Sequence, residues 1–510
     1  MQQASEPLPS TGSPPASTTT PPAATGHPVG RRVLTNTSAL AASNLWRIFI
    51  SFILQLMISR RLGVEGMGYY TIALTYLNVC QVISELGLPA MLTRDLAQFP
   101  TQRRAYFRYS FLLQLGLAIV LCFILAIVSQ LLPIEATAQR ILWIVGLSLP
   151  LYAVTSSCQT LFQAGERLEL IFGVETLVNT LILAASLAIL WNGGSVLGLV
   201  AVLVGTQLLS AIICLLLLRF VRLMSEPQEE IALSFNTLWQ RSRPFFGLAL
   251  ADVLLQRLDT LLLSVLGNVT ITGIYGTSDN LVRVLLKIVQ SLWRAIYPTL
   301  SRMRNQSQSR YFALCRLSLR YGLIVLVPGA ALGAVVAPDL MRLVYEDSFA
   351  AYAPVLQIAI WTAPAFLLEL YAVTIFMVEN RPLYSVLITG VHLIVMAILL
   401  PLLIGGAGAL GAAIAVTIAG VMGSLVGIGL ILRNQLPLDL SKLGQIVIAA
   451  AVSAMVALLL PTSWYIKVAV GGCIDLILLW LMRALTMDDI EGVVTALLGR
   501  SPQLSSKSRI

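Results

Sequence analysis

The sequence predicts an all-α membrane protein with about 14 transmembrane helices, each near the 20 residues that cross a bilayer. They group as two six-helix lobes in parallel repeat, followed by two C-terminal helices. Three observations carry this. Of the 510 residues, 57% are hydrophobic and only 11% charged, with a mean hydropathy of +0.85. A soluble chain has about 25% charged residues. The apolar residues gather in span-length runs separated by Gly, Pro, Asn or charge clusters. Lys and Arg fall on alternate connections, as the positive-inside bias requires.

In chain order, residues 1–30 are rich in Pro, Ser, Thr and Ala. Such a segment buries too little apolar surface to offset its ordering entropy, and it reads as a disordered cytoplasmic tail. Spans are expected near 38–59, 67–92, 107–132, 139–163, 170–191 and 195–220, giving an N-lobe over 31–222. A second set near 245–266, 273–298, 315–337, 353–378, 383–404 and 408–432 gives a C-lobe over 223–433. Spans near 443–461 and 464–483 fill residues 434–485, and 486–510 form a second cytoplasmic tail. The longest connections, around 93–107, 221–243 and 301–314, are short and basic. With the N-terminus inside, twenty-three of the 33 Lys and Arg face the cytoplasm. Five face outward (Arg60, Arg61, Arg140, Arg342, Lys467) and five lie within spans. Both termini are therefore expected in the cytoplasm.

The repeat rests on three collinear matches. "LGVEGMGYY" (62–70) pairs with "LGNVTITGIY" (266–275), "LFQAGERLEL" (161–170) with "IFMVENRPLY" (375–384), and "GGSVLGL" (193–199) with "GGAGALG" (405–411). Parallel repeats of this kind build transporters that rock around a site at the repeat interface.

Ionisable residues inside spans are candidates for function. In "NLVRVLLKIVQSLWRAIYPTL" (280–300), Arg283, Lys287, Gln290 and Arg294 share one helical face, extended by Asp279 and Asn280. The preceding span places Asp252, Gln256 and Asp259 on one stripe. At 1.5 Å per residue, Asp259 and Arg283 lie roughly 12 and 15 Å below the connecting turn, and Asp252 and Lys287 roughly 22 and 21 Å. A ladder follows: Asp259 with Arg283, and Asp252 with Lys287. Arg294 sits near the headgroups, where it can snorkel. In the first two spans, Asn44, Arg47, Ser51 and Gln55 share one face, as do Thr71, Thr75, Asn78 and Glu85. Arg47 and Glu85 have similar depths and form a candidate pair. Arg257, Glu175, Glu369, His392 and Asp475 are isolated polar groups, and His392 reads as structurally satisfied. Two readings stay open for these charges: pairs that only fix packing, or walls of a hydrated cavity.

Other classes find no support. The net charge of +9 comes from short loops rather than a basic domain, so nucleic acid is not implied. The six cysteines are scattered through apolar runs and suggest buried free thiols, with no metal site or disulfide framework. No nucleophile triad, metal cluster or phosphate loop stands out, so no catalytic residue is assigned. A membrane polymerase or glycosyltransferase would carry a large loop with catalytic carboxylates or His.

The stretch "SRRLGVEGMGYYTIALTYLNVCQVISELGLPAMLTRDLAQ" (59–98) resembles the polysaccharide and oligosaccharide-unit flippases. These form the Wzx-type branch of the MOP superfamily, which also contains the MATE drug exporters. Arg61, Leu62, Gly63, Gly68, Tyr69, Leu86, Gly87, Leu88, Ala90 and Arg94 carry the likeness, with Asp259, Gly273 and Tyr275 in "QRLDTLLLSVLGNVTITGIYGTSDNL". The resemblance covers about 31–485 and implies a V-shaped pair of lobes in a bacterial inner membrane. It implies alternating access and movement of an undecaprenyl-pyrophosphate-linked oligosaccharide to the outer leaflet for polysaccharide export. The substrate cavity would use Arg283, Lys287, Arg47, Arg257 and Arg294. Asp252, Asp259 and Glu85 would form cavity ion pairs or couple to H⁺ or Na⁺, without any cofactor. Implied partners are the lipid-linked glycan, membrane lipids and polymerase or export machinery. A lipid II flippase and a MATE-type exporter remain alternatives; the exporter would favour acidic and aromatic walls over Arg283 and Lys287.

Overall fold

The computed structural model describes residues 27–98, 103–131, 134–221 and 234–484, and every extended element among them is helical. Most of the two expected tails lies outside these residues. α1 (His27–Glu85) has 59 residues. At 1.5 Å per residue it would be about 88 Å long, far more than the ~30 Å of hydrocarbon. Gly63 (φ 67°, ψ −163°) divides it into two spans. A short α2 (Leu88–Gln98) follows, then α3 (Arg103–Leu131), α4 (Ala136–Ala164), α5 (Leu168–Trp191) and α6 (Val196–Val221). The second set is α7 (Phe235–Leu266), α8 (Val269–Gln306), α9 (Gln308–Val344), a 3-10 turn (Asp347–Tyr352), α10 (Ala353–Ala359) and α11 (Thr362–Val378). α12 (Pro382–Arg433) is again two spans, divided at Gly408 (φ 54°). α13 (Leu443–Leu459) and α14 (Trp464–Leu481) complete the chain. With α10 and α11 taken as one crossing, the spans number about fourteen, as the bilayer-length runs require.

Eight helices pass a plain length-and-hydropathy test for crossing a membrane. α1, α7 and α8 are not among them. We count them as spans on length and on their place in the repeat, because the residues that lower their hydropathy are the polar stripes. The tenth span is broken at Ile360 and Trp361, where Pro364 cannot donate a backbone hydrogen bond to the preceding turn. The loop expected around 301–314 is instead a one-residue break. Ser307 closes α8 by donating its N–H to Met303 and then opens α9.

Two of the three repeat matches carry the same or equivalent geometry. Glu166 and Asn380 occupy equivalent positions, and both have φ 56°. After each, an arginine N–H caps the preceding helix: Arg167 to the Phe162 carbonyl at 2.8 Å and Arg381 to that of Phe376 at 2.9 Å. This is the left-handed cap that ends many helices. The turns at 62–70 and 266–275 each join the first two spans of a lobe. The third match differs: the bend falls at Gly193 (φ 72°) in one lobe and at Gly408, three positions further along, in the other.

The 62–70 and 266–275 turns also pack against each other. A Cβ on Gly68 would lie 2.1 Å from the Val269 carbonyl oxygen, and one on Gly273 would lie 2.1 Å from that of Val64. Nearby, Tyr76 Oη meets Ser264 Oγ at 3.2 Å in a buried contact. Arg60 donates to the carbonyls of Val344 (3.0 Å) and Leu343 (2.6 Å) at the end of α9. The lobes are therefore closed at the end that the charge bias assigns to the outside. α13 and α14 pack on α9 through Ile446, Ala449, Ala450 and Leu479, away from this seam.

Candidate functional site: a charged cavity between the lobes

α7 and α8 form a hairpin through Gly267 and Asn268, whose side chain caps α8 by accepting from Ile271 N at 2.7 Å. Facing stripes of the two helices then meet. Asp259, 3% exposed, accepts hydrogen bonds from Tyr275 Oη (2.6 Å), Arg283 Nη2 (3.3 Å) and the backbone N–H of Thr260 (2.6 Å). Arg283 also pairs with Asp279, one helical turn before it. One guanidinium thus lies between two carboxylates, with its charge already balanced.

The expected Asp259–Arg283 pair is present, but the second rung of the ladder is not. Asp252 accepts from Gln256 Nε2 at 2.9 Å, and Lys287 makes no ion pair among the described residues. Matching depth fixed the height of these side chains but not their rotation about the helix axes. The Arg47–Glu85 pair is also absent. Glu85 accepts instead from Tyr152 Oη (2.7 Å) and Ser156 Oγ (2.8 Å), both on α4. Arg47 has contacts of its own and lies exposed on α1.

Two adjoining cavities share Asp279, Arg283 and Lys287. The one between the lobes is lined by Ser51, Gln55 and Thr71 from α1 and by Arg257 and Lys287 from α7 and α8. Arg257 also makes no ion pair among the described residues. The second cavity reaches into the C-lobe past Asp252 and Gln290 to Glu369 and His392. Arg294 lines neither cavity and is exposed. The arrangement therefore sets three cations, Arg257, Arg283 and Lys287, around the two carboxylates of Asp259 and Asp279, an excess of one positive charge.

The sequence reading missed two pairs. Asp279 and Arg283 stand at i and i+4, a spacing that signals an intrahelical ion pair. Glu369 and His392 were read as single groups, but Nδ1 of His392 lies 2.7 Å from Oε2 of Glu369. They sit on different helices, and helical periodicity carries no signal for that contact. Among the described residues, no cluster of three or more His, Cys, Asp or Glu could hold a metal ion.

A family model described as "Polysaccharide biosynthesis protein" matches residues 33–304, more than half of the chain, including all of α7 and all but the last two residues of α8. The chain belongs to this family. Among solved structures, it is similar over 92% of its length to "Lipid II flippase MurJ, inward closed conformation", all of which is covered, with TM-score 0.68 and 12% identity. It is also similar to an inward-facing multidrug resistance MATE family transporter of the MOP superfamily. There the match covers 76% of this chain and 94% of the other, with TM-score 0.63 and 8% identity. A third match, to the MATE multidrug transporter DinF-BH, covers 80% of this chain and 96% of the other, with TM-score 0.56 and 14% identity. No curated protein sequence matches the chain. At these identities the structural likenesses speak for the fold alone, one shared with a lipid II flippase and with MATE transporters. This polysaccharide biosynthesis family member is a multi-helix chain whose long apolar helices can cross a membrane several times, with a fold shared by a lipid II flippase and a MATE transporter.

Proposed function

We propose that the chain flips an undecaprenyl-pyrophosphate-linked oligosaccharide across a bacterial inner membrane for polysaccharide export, with both termini in the cytoplasm. The two lobes, 31–222 and 223–433, alternate access to the cavity between them. One observation carries the reading: Arg257 and Lys287 face the interlobe cavity outside the Asp259–Arg283–Asp279 ion-pair network, and the three bases there exceed the two acids by one charge. An excess positive charge in a membrane interior is costly unless an anion joins it. A pyrophosphate supplies that anion, and arginine binds it through paired N–H donors while lysine acts as a point charge. Hydroxyl and amide groups on Ser51, Gln55 and Thr71 line the opposite wall, which suits a sugar. The lipid tail stays in the bilayer while the head group crosses. A MATE-like exporter of organic cations fits this wall poorly, because Arg257 and Lys287 would repel its cargo. A lipid II flippase presents the same pyrophosphate and differs only in the glycan.

The test uses cells that need this protein for surface polysaccharide. With protein levels checked, Lys287→Ala and Arg257→Ala should each lower export about tenfold or more, the worth of a charge-assisted hydrogen bond. Normal export by both variants would overturn the proposal.

A further inference from the structure

The interlobe cavity opens into a deeper one that anion binding leaves unexplained. Its far wall holds Glu369 on α11 and His392 on the first half of α12, with their side chains 6% and 12% exposed. The backbone makes room for the pair. A Cβ on Gly423 would lie 3.1 Å from the Glu369 carboxylate and 3.3 Å from His392 Cβ, and one on Gly420 would lie 3.8 Å from His392 Cε1. Ser424 holds this part of α12 against α11 by donating to the Ala365 carbonyl at 2.7 Å.

We infer that Glu369 and His392 form a proton-binding site whose occupancy is linked to anion binding in the adjoining cavity. This rests on the pyrophosphate reading above for its anion, but not for the proton site itself. Two of the three residues expected to couple are already held by several partners. Asp259 is held by Arg283, Tyr275 and Thr260 N, and Glu85 by two hydroxyls. The Glu–His pair is buried, has one partner each, and joins a carboxylate to an imidazole, the side chain best suited to taking up and releasing a proton. Uptake of one proton adds a full positive charge to the cavity wall. The charged and titratable groups facing the same space are Asp252 and Asp259 from α7, and Tyr275, Asp279, Arg283 and Lys287 from α8. An anion bound at Lys287 therefore favours the protonated pair, and by linkage the protonated pair favours the anion.

The test is direct, because the chain has only two histidines. In a His27→Gln background with ¹⁵N-histidine, the imidazole of His392 is followed by NMR in nanodiscs, with and without inorganic pyrophosphate. Titration between pH 5 and 8, with a midpoint raised by about 0.5 unit or more when pyrophosphate binds, is the expected result for a nearby divalent anion. Glu369→Gln should lower the midpoint, and Lys287→Ala should abolish the pyrophosphate-induced shift alone. An imidazole that does not titrate between pH 5 and 9 overturns the proton site. Pyrophosphate binding without a midpoint shift overturns the linkage. Failure of pyrophosphate to bind sinks the proposed substrate and the linkage, while the titration still decides the proton site.

Discussion

Arg283 and Lys287 lie one helical turn apart and look alike in the sequence, yet their surroundings give them opposite roles. Arg283 lies between Asp259 and Asp279, so Arg283→Ala would leave two buried carboxylates without their cation. That costs about 3–5 kcal/mol, and thermal unfolding in detergent should show a clear loss. Lys287 is exposed to the cavity without an ion partner among the described residues, so Lys287→Ala should change stability by about 0.5 kcal/mol or less. Its effect should appear in anion affinity, about tenfold weaker for inorganic pyrophosphate. Equal destabilisation by the two variants would contradict this division. The sequence made the Asp259–Arg283 pair legible through depth, because the hairpin turn sets the height of both residues. It did not make Asp252 legible: Gln256 at i+4 takes that carboxylate locally. Glu85 likewise turned toward α4, a neighbour that no periodicity within α1 identifies.

At the scale of elements, the repeat-related turns do more than end helices. Gly68 and Gly273 let the two turns touch backbone to backbone. A methyl group at either site would lie about 2 Å from a carbonyl oxygen, well inside contact distance, and overpacking of this kind costs about 1–3 kcal/mol. Gly273→Ala should therefore loosen the outer closure. In a background whose native cysteines are replaced, Ser264→Cys, buried at that seam, should react several-fold faster with a membrane-impermeant maleimide once Gly273→Ala is added. An unchanged rate would mean that the seam is not the outer closure. Arg60→Ala removes two hydrogen bonds to the end of α9 and should act in the same direction. The repeat was readable in the sequence because glycine spacing and cap residues recur there. That the repeated turns pack together was not, because a pattern along the chain does not say which copies meet across a symmetry axis.

At the scale of the whole molecule, length, hydropathy and charge bias were enough to give span-length helices in two sets of six, with two more at the end. Composition sets those features, since every backbone group in hydrocarbon must be paired within its helix. Seating of the lobes around a common cavity depends on side-chain packing between helices far apart in sequence, and only the structure supplies it. Carriage of a pyrophosphate head group between leaflets by Arg257 and Lys287 can be followed in proteoliposomes, by timing the flipping of a fluorescent, short-chain polyprenyl-pyrophosphate-linked sugar. The wild type and Arg294→Ala, which lines neither cavity, should flip it at similar rates, while Arg257→Ala and Lys287→Ala should be slower by about tenfold or more. Wild-type rates in the Arg257 and Lys287 variants, or no flipping by the wild-type protein, would contradict it.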